Sequence, residues 1–264
     1  VAFSSTGVFA KGVEAGAWAV IFWRGFFAAT STTLWAASRG GLHREFFGMG
    51  RAGLAVGIVG AMGTAALIPA FKLTTVANVA LIYAAAPFLA AFMAWVAIGE
   101  RVSKLTAFGA GCALLGVGII VWGSIGQVNL MGDALALAMT LAMSIIMVIY
   151  RVRPDTPSAG PSILQSVFLF PFAVVLGAPF NIAPSEMAIL AGFGLVHAIA
   201  SVTLAEGAKR VPAGQTALMG VLETPLAPVL ALLILREVPS QVTLIGGAIV
   251  LAAVLVSLRQ KPLD

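Results

Sequence analysis

Charge is what this sequence has least of. Only 9% of its 264 residues are Asp, Glu, Lys or Arg, 60% are hydrophobic, and the mean hydropathy is +1.05. A soluble domain carries about 25% charged residues. So little polar surface cannot cover a water-facing globule, which excludes a soluble protein and makes a lipid bilayer the natural solvent. One cysteine, Cys112, rules out an intramolecular disulfide, and its place in an apolar run reads as small-residue packing. Two histidines leave little for metal chemistry. There is no His-Glu-x-x-His pair, no Gly-x-Ser-x-Gly elbow and no phosphate-cradling Gly-Lys loop. The chain therefore reads as no enzyme, with no catalytic residue, metal or cofactor. No ring of charged or carbonyl-rich loop residues suggests a channel. The net charge of +5 lies in short loops between apolar runs, a pattern of membrane topology that makes no nucleic-acid patch.

What the chain does have is spans. A bilayer needs about 20 apolar residues per helix. Nine runs approach that length: 17–38, 52–71, 77–98, 105–124, 131–150, 162–181, 186–206, 214–235 and 241–258. Residues 1–10 are apolar but too short to span. They read as the end of a first helix that begins upstream, and no signal-peptide pattern is visible. Assigning the loops alternately to two sides puts Arg39, Arg44, Arg51, Arg101, Lys104, Arg151, Arg153, Lys209, Arg210, Arg259 and Lys261 together. The other side holds Lys11, Lys72 and Arg236. The richer side is cytoplasmic by the positive-inside rule, so both termini are predicted inside a bacterial inner membrane. Trp18 and Trp122 then fall near the outer boundary, and Trp35 and Trp95 near the inner one, as an aromatic belt requires.

The chain also repeats. A shift of 137 positions places Lys72 on Lys209, Glu100 on Glu237, Ser103 on Ser240, Thr106 on Thr243 and Gly109 on Gly246. Apolar matches are cheap in this composition, but polar matches in one ungapped register are not. The fold class predicted is an all-α membrane protein with ten spans in two five-helix repeats, 1–126 and 127–264. An odd number of spans per repeat turns the second copy upside down, which is a transporter device.

Two helix-loop segments carry a family likeness: Ala86-Pro87-Phe88-Leu89-Ala90-Ala91 through Gly99-Glu100-Arg101, and Leu222-Glu223-Thr224-Pro225 through Arg236-Glu237. Each precedes a glycine-bearing last helix, with Gly109, Gly111, Gly116 and Gly118 in one half and Gly246 and Gly247 in the other. With Arg24 early in the second helix, these segments resemble the EamA family of the drug/metabolite transporter superfamily over nearly the whole chain. The departures are Thr224 between Glu223 and Pro225, and Arg236 where a glycine is usual. The resemblance implies a cavity between the halves, open alternately to either side, with the fifth and tenth helices peripheral. It also implies export or facilitated diffusion of amino acids or similar small amphipathic metabolites, with a nucleotide-sugar or organic-anion exchanger as the alternative, since relatives in the superfamily carry nucleotide-sugars or phosphorylated sugars.

Candidate substrate-binding residues follow from polarity at depth. Glu223 lies nine residues into its span, about 13 Å deep at 1.5 Å per residue. A charge there costs about 3 kcal/mol on insertion scales, so it faces a cavity or a partner. It reads either as an amine-binding or proton-coupling acid, or as a brace between helices. Met219 and Thr216 share its face. The repeat carries that face onto Val79, Ile82 and Ala86, a predicted apolar wall opposite an acidic one. That contrast suits a small amphipathic substrate. Tyr83 borders this wall and offers a stacking or hydrogen-bonding ring. Asn78 flanks it, either in the site or capping the helix start. His197 falls mid-span opposite Gly60, and Arg24 is the sole basic residue well inside a span. Arg24 reads as a carboxylate ligand, a structural partner, or a side chain snorkelling to the outer interface. A single deep cation argues against a dianionic substrate. Pro87 and Pro225 interrupt corresponding helices and are the predicted hinges. The glycines of the fifth and tenth spans suit close helix packing, including a contact within a homodimer.

Overall fold

The computed structural model describes residues 3–99, 104–125, 129–210 and 224–257, and these are all helix or connecting turn. The helices are α1 (Thr6–Lys11), α2 (Ala17–Ser38), α3 (Leu42–Phe47), α4 (Gly50–Leu73), α5 (Val76–Tyr83) and α6 (Ala86–Ile98). They continue with α7 (Lys104–Gly123), α8 (Leu130–Val152), α9 (Ala159–Gly177), α10 (Pro184–Arg210), α11 (Thr224–Leu235) and α12 (Gln241–Ser257). Among the described residues, five apolar stretches are long enough to cross a membrane: Gly50–Leu73, Val76–Ala97, Leu130–Val152, Ala159–Gly177 and Pro184–Thr203. Shorter apolar helices cover Ala107–Gly123, Thr224–Leu235 and Gln241–Val256. The run boundaries read from the sequence fall within about four residues of these ends, except that the start of 214–235 lies outside the described residues. The sequence reading missed α3, a six-residue helix with no buried residue in the second connector.

The fourth span is broken where Pro87 requires it. α5 starts under an N-cap, with Thr75 Oγ1 accepting from Asn78 N at 3.0 Å. It ends at Tyr83, because Pro87 has no N–H to give the Tyr83 carbonyl and its ring crowds that oxygen. Two turn residues follow, and α6 resumes with Pro87 in its first turn. Ser144 Oγ of α8 donates to the Ala86 carbonyl at 3.1 Å and so ties the break to a neighbour. α6 closes on Gly99 in the left-handed conformation (φ 68°, ψ 18°), a common C-terminal cap. The corresponding residue of the second copy is Arg236, and it adopts the same conformation (φ 56°, ψ 29°) after a π-helical last turn, Ala231–Leu235. Backbone geometry is thus kept at this position while the glycine is not.

Helix packing follows the small residues. A methyl added to Gly116 would lie 2.6 Å from the Gly246 carbonyl oxygen, so α7 and α12 touch backbone to backbone. Gly123 meets Val242 in the same pair, which makes α7 and α12 antiparallel. Gly177 meets Trp18 and Gly25 meets Ser166, so α2 and α9 are antiparallel as well. α4 runs antiparallel to α8, with Gly63 by Ala142 and Gly132 by Thr74, and parallel to α9, with Gly53 by Pro161 and Gly60 by Gln165. α10 packs on α2. The buried interior is rich in alanine, while Phe47, Phe108, Trp122 and Val175 project outward with 67–81% of their surface exposed. Large apolar groups outside and small ones inside suit a lipid-facing bundle. Gly111 and Gly118, by contrast, face open space.

Candidate functional site

Two buried polar networks lie within this bundle. The first is built around Arg24, seven residues into α2. Gly194 of α10 has no side chain, and a methyl there would sit 2.8 Å from the Arg24 carbonyl oxygen. This close approach lays Phe193 beneath the guanidinium, with Cζ 5.5 Å from the ring centroid, a cation–π contact. Phe9 of α1 stacks on Phe193, with ring centroids 5.2 Å apart and 8° between planes. Thr64 of α4 contributes its hydroxyl, 3.4 Å from Arg24 Nη2. His197 lies one turn beyond Phe193, within electrostatic reach of Arg24, its Nε2 3.5 Å from Ser201 Oγ. Four helices thus converge on one cation that is 1% exposed. Snorkelling is overturned, because the guanidinium is sealed inside. No acidic group pairs with Arg24 among the described residues, and Glu223 lies outside them.

The second network centres on Asp133, which the sequence reading did not single out. Gly132 lets the start of α8 press against the end of α4, where a methyl would lie 2.7 Å from Thr74 N. Asp133 follows it and is 0% exposed. Its Oδ1 accepts from Thr74 Oγ1 at 2.6 Å, and its Oδ2 from Ser124 Oγ at 2.5 Å. Asn78 Nδ2 donates to both oxygens at 3.1 Å. Asn78 Oδ1 in turn accepts from Thr243 Oγ1 at 2.7 Å, and Ser240 Oγ lies 2.8 Å beyond. All the partners of this carboxylate are donors, and it sits in the first turn of α8, where the helix dipole favours an anion. The only sequence signal was an acid three residues inside an apolar run, which reads as an interface residue.

These networks sort the predicted site residues. Asn78 is a member of the Asp133 network, and the cap of α5 is Thr75, so the capping reading of Asn78 is overturned. Thr64 on α4 and Thr74 at its C-terminal cap, one from each network, are ten residues apart, about 15 Å along the helix axis. The predicted apolar wall is packed in this conformation: Val79 and Ile82 belong to the core, and Ala86 is 1% exposed with its carbonyl held by Ser144. Tyr83 is half-buried against that core. His197 and Arg24 are brought together. Met219 and Glu223 lie outside the described residues, and Pro225 sits in the first turn of α11. Gly60 lies against Gln165, whose Oε1 would be 2.3 Å from an added methyl.

Carboxylates also stitch the helix ends. Glu237 accepts from Lys11 Nζ at 2.7 Å and from Val76 N at 2.5 Å, joining α1, the start of α5 and the end of α11. Lys72 Nζ donates to the Val13 carbonyl at 2.5 Å, and Glu186 accepts from Glu14 N. Near the other end of α4, Glu45 Oε2 accepts from Ala159 N and Gly160 N at 2.9 and 3.0 Å and caps α9. The open groove along α7 (Gly111, Leu114, Leu115, Gly118, Trp122) carries no charged side chain and suits lipid.

Comparison with known proteins agrees with this architecture. The chain superimposes on a protein of known crystal structure with a TM-score of 0.69 at 18% identity, over 97% of this chain and 92% of the other. At that identity the likeness shows a shared fold and nothing finer. No curated protein matches the sequence. The profile of the EamA-like transporter family matches twice, over residues 1–122 and 125–259. With nearly its whole length matched by that profile, the chain belongs to the EamA-like transporter family, and is a multi-pass membrane transporter.

Proposed function

We propose that this transporter moves amino acids or similar small amphipathic metabolites by alternating access, outward across a bacterial inner membrane with both termini cytoplasmic. Its working parts are ten spans in two inverted five-helix halves, residues 1–126 and 127–264. Corresponding helices run in opposite directions where they meet, α2 against α9 and α7 against α12, and this supports the inversion. The observation that carries the reading is the position of the Arg24 network. Its residues come from α1, α2 and α4 of the first half and α10 of the second, so this buried polar network lies where the halves must part. One cation over the Phe193 ring, with Phe9 stacked on that ring, suits a substrate with one charged group and an apolar body. The broken fourth span, with Pro87 after its break, provides a hinge in one half, and Pro225 is its counterpart in the other.

Uptake of labelled neutral and aromatic amino acids, with nucleotide-sugars as comparators, into liposomes holding the purified protein tests the reading. Protein-dependent amino-acid flux is expected; its absence would overturn the proposal. Under an imposed pH gradient, His197→Ala and Glu223→Gln test proton coupling. Gradient dependence unchanged in both removes them as proton carriers.

A further inference from the structure

Arg24 is the largest of the fully buried side chains, and its hydrogen bonding is incomplete. A guanidinium has five N–H donors and stays charged at physiological pH. Here Nη2 reaches Thr64 Oγ1 at 3.4 Å, beyond the usual range for an N–H···O bond. Nε and Nη1 are buried and meet no acceptor among the described residues. Buried polar groups in native proteins are almost always paired, and an unpaired buried cation is strongly unfavourable. Thr64 is too weak a partner to hold a cation there for structural reasons alone.

The unfilled donors specify what would fill them. A carboxylate meeting the guanidinium end-on takes Nη1 with Nη2, and one meeting it side-on takes Nε with Nη2. Either approach joins an unpartnered donor to the loosely held one, in the planar fork that matches two carboxylate oxygens. Beside the fork stands an aromatic ledge, Phe193 stacked on Phe9. We propose that Arg24 is the anion-recognition point of the transport site, binding one carboxylate of the substrate while the substrate's apolar body lies on the Phe193–Phe9 ledge. This rests on the amino-acid reading and deepens it: the carboxylate, and not the amine, is the group the protein requires. A dianion would leave one charge unmatched. Sealing the helices around a guanidinium–carboxylate pair is also less unfavourable than sealing them around the cation alone, which links closure to cargo.

Three probes on one skeleton test this: L-phenylalanine, 3-phenylpropionate with the carboxylate alone, and 2-phenylethylamine with the amine alone. Thermal unfolding of the purified full chain is followed with each probe, for the wild type and for Arg24→Gln and Arg24→Lys. The two carboxylates are expected to raise the wild-type midpoint by about 2 °C or more near saturation, and the amine is not. Arg24→Gln is expected to bind both carboxylates at least about tenfold more weakly, and Arg24→Lys to fall between. Without probes, Arg24→Gln should unfold no earlier than the wild type, because the change removes an unpaired buried charge; a bracing role predicts the reverse. Equal stabilisation by the amine, no stabilisation by either carboxylate, or a carboxylate preference kept in Arg24→Gln overturns the proposal. If Arg24→Gln does not fold, the three-probe comparison on the wild type decides alone. Amino-acid flux undiminished in Arg24→Gln sinks this inference and leaves the transport reading standing. Carboxylate-dependent stabilisation without amino-acid flux does the opposite.

Discussion

Replacing Asp133 by Ala is expected to destabilise the protein more than any other single change at the helix ends. The carboxylate accepts from Thr74, Ser124 and twice from Asn78, all within 3.1 Å, and is 0% exposed. A hydrogen bond to a charged group contributes about 1.5–3 kcal/mol, and each buried donor left without an acceptor costs about 1–3 kcal/mol. Those terms are not additive, because Asn78 keeps its bond from Thr243 and the hydroxyls can rotate toward other acceptors, as Ser124 does toward the Ile120 carbonyl at 3.4 Å. A loss of about 3–5 kcal/mol is the reasonable expectation. For a chain this long that lowers the unfolding midpoint by on the order of 10 °C. Asp133→Asn keeps the shape and one acceptor but turns an N–H₂ toward donors, so it should lose about half as much. Thermal unfolding in detergent, read by tryptophan fluorescence and by retention of a monodisperse chromatographic peak, measures both. A midpoint for Asp133→Ala within about 2 °C of the wild type would refute the network's role in joining α4, α5, α7, α8 and α12.

Other expectations use the same measurement. Gly116→Ala should lower the midpoint, since its methyl would meet the Gly246 carbonyl at 2.6 Å, while Gly118→Ala, in open space, should be neutral or slightly stabilising. Equal effects would mean that α7 and α12 do not touch backbone to backbone. Arg236→Gly should stabilise by about 1 kcal/mol, because a left-handed φ of 56° strains any residue with a side chain. Destabilisation would instead give the Arg236 side chain a structural role. Glu237→Gln keeps an acceptor for Val76 N and loses the Lys11 pair, whose side chains are 23% and 16% exposed, so under about 1 kcal/mol should go. Glu237→Ala also removes the acceptor for Val76 N at the start of α5 and should cost about 1 kcal/mol more; identical midpoints would dismiss that bond.

How much of the site was legible follows from the range of its contacts. Pro87 announced the break in the fourth span because a missing N–H and a crowding ring act within one turn. Arg24 and His197 stood out because a polar side chain at mid-span is costly wherever it points. Asn78 was visible but misplaced: its partners Asp133 and Thr243 are 55 and 165 residues away, and no local pattern joins them. Asp133 went unnoticed because an acid in the first turn of a span resembles an ordinary interface residue until the bundle closes over it.

By itself, then, the sequence determined the solvent, the spans and the register of 137 that marks corresponding residues, since hydropathy and repetition are properties of the string and the bilayer sets the length of a span. The shared left-handed turn at Gly99 and Arg236 shows that register surviving a change of residue type. Only the tertiary structure decided which polar groups are satisfied. Asp133 is surrounded by donors and Arg24 is left with donors to spare, because hydrogen-bond satisfaction depends on angstrom-scale approach between helices distant in the chain. That approach is set by where glycines such as Gly132 and Gly194 let backbones meet.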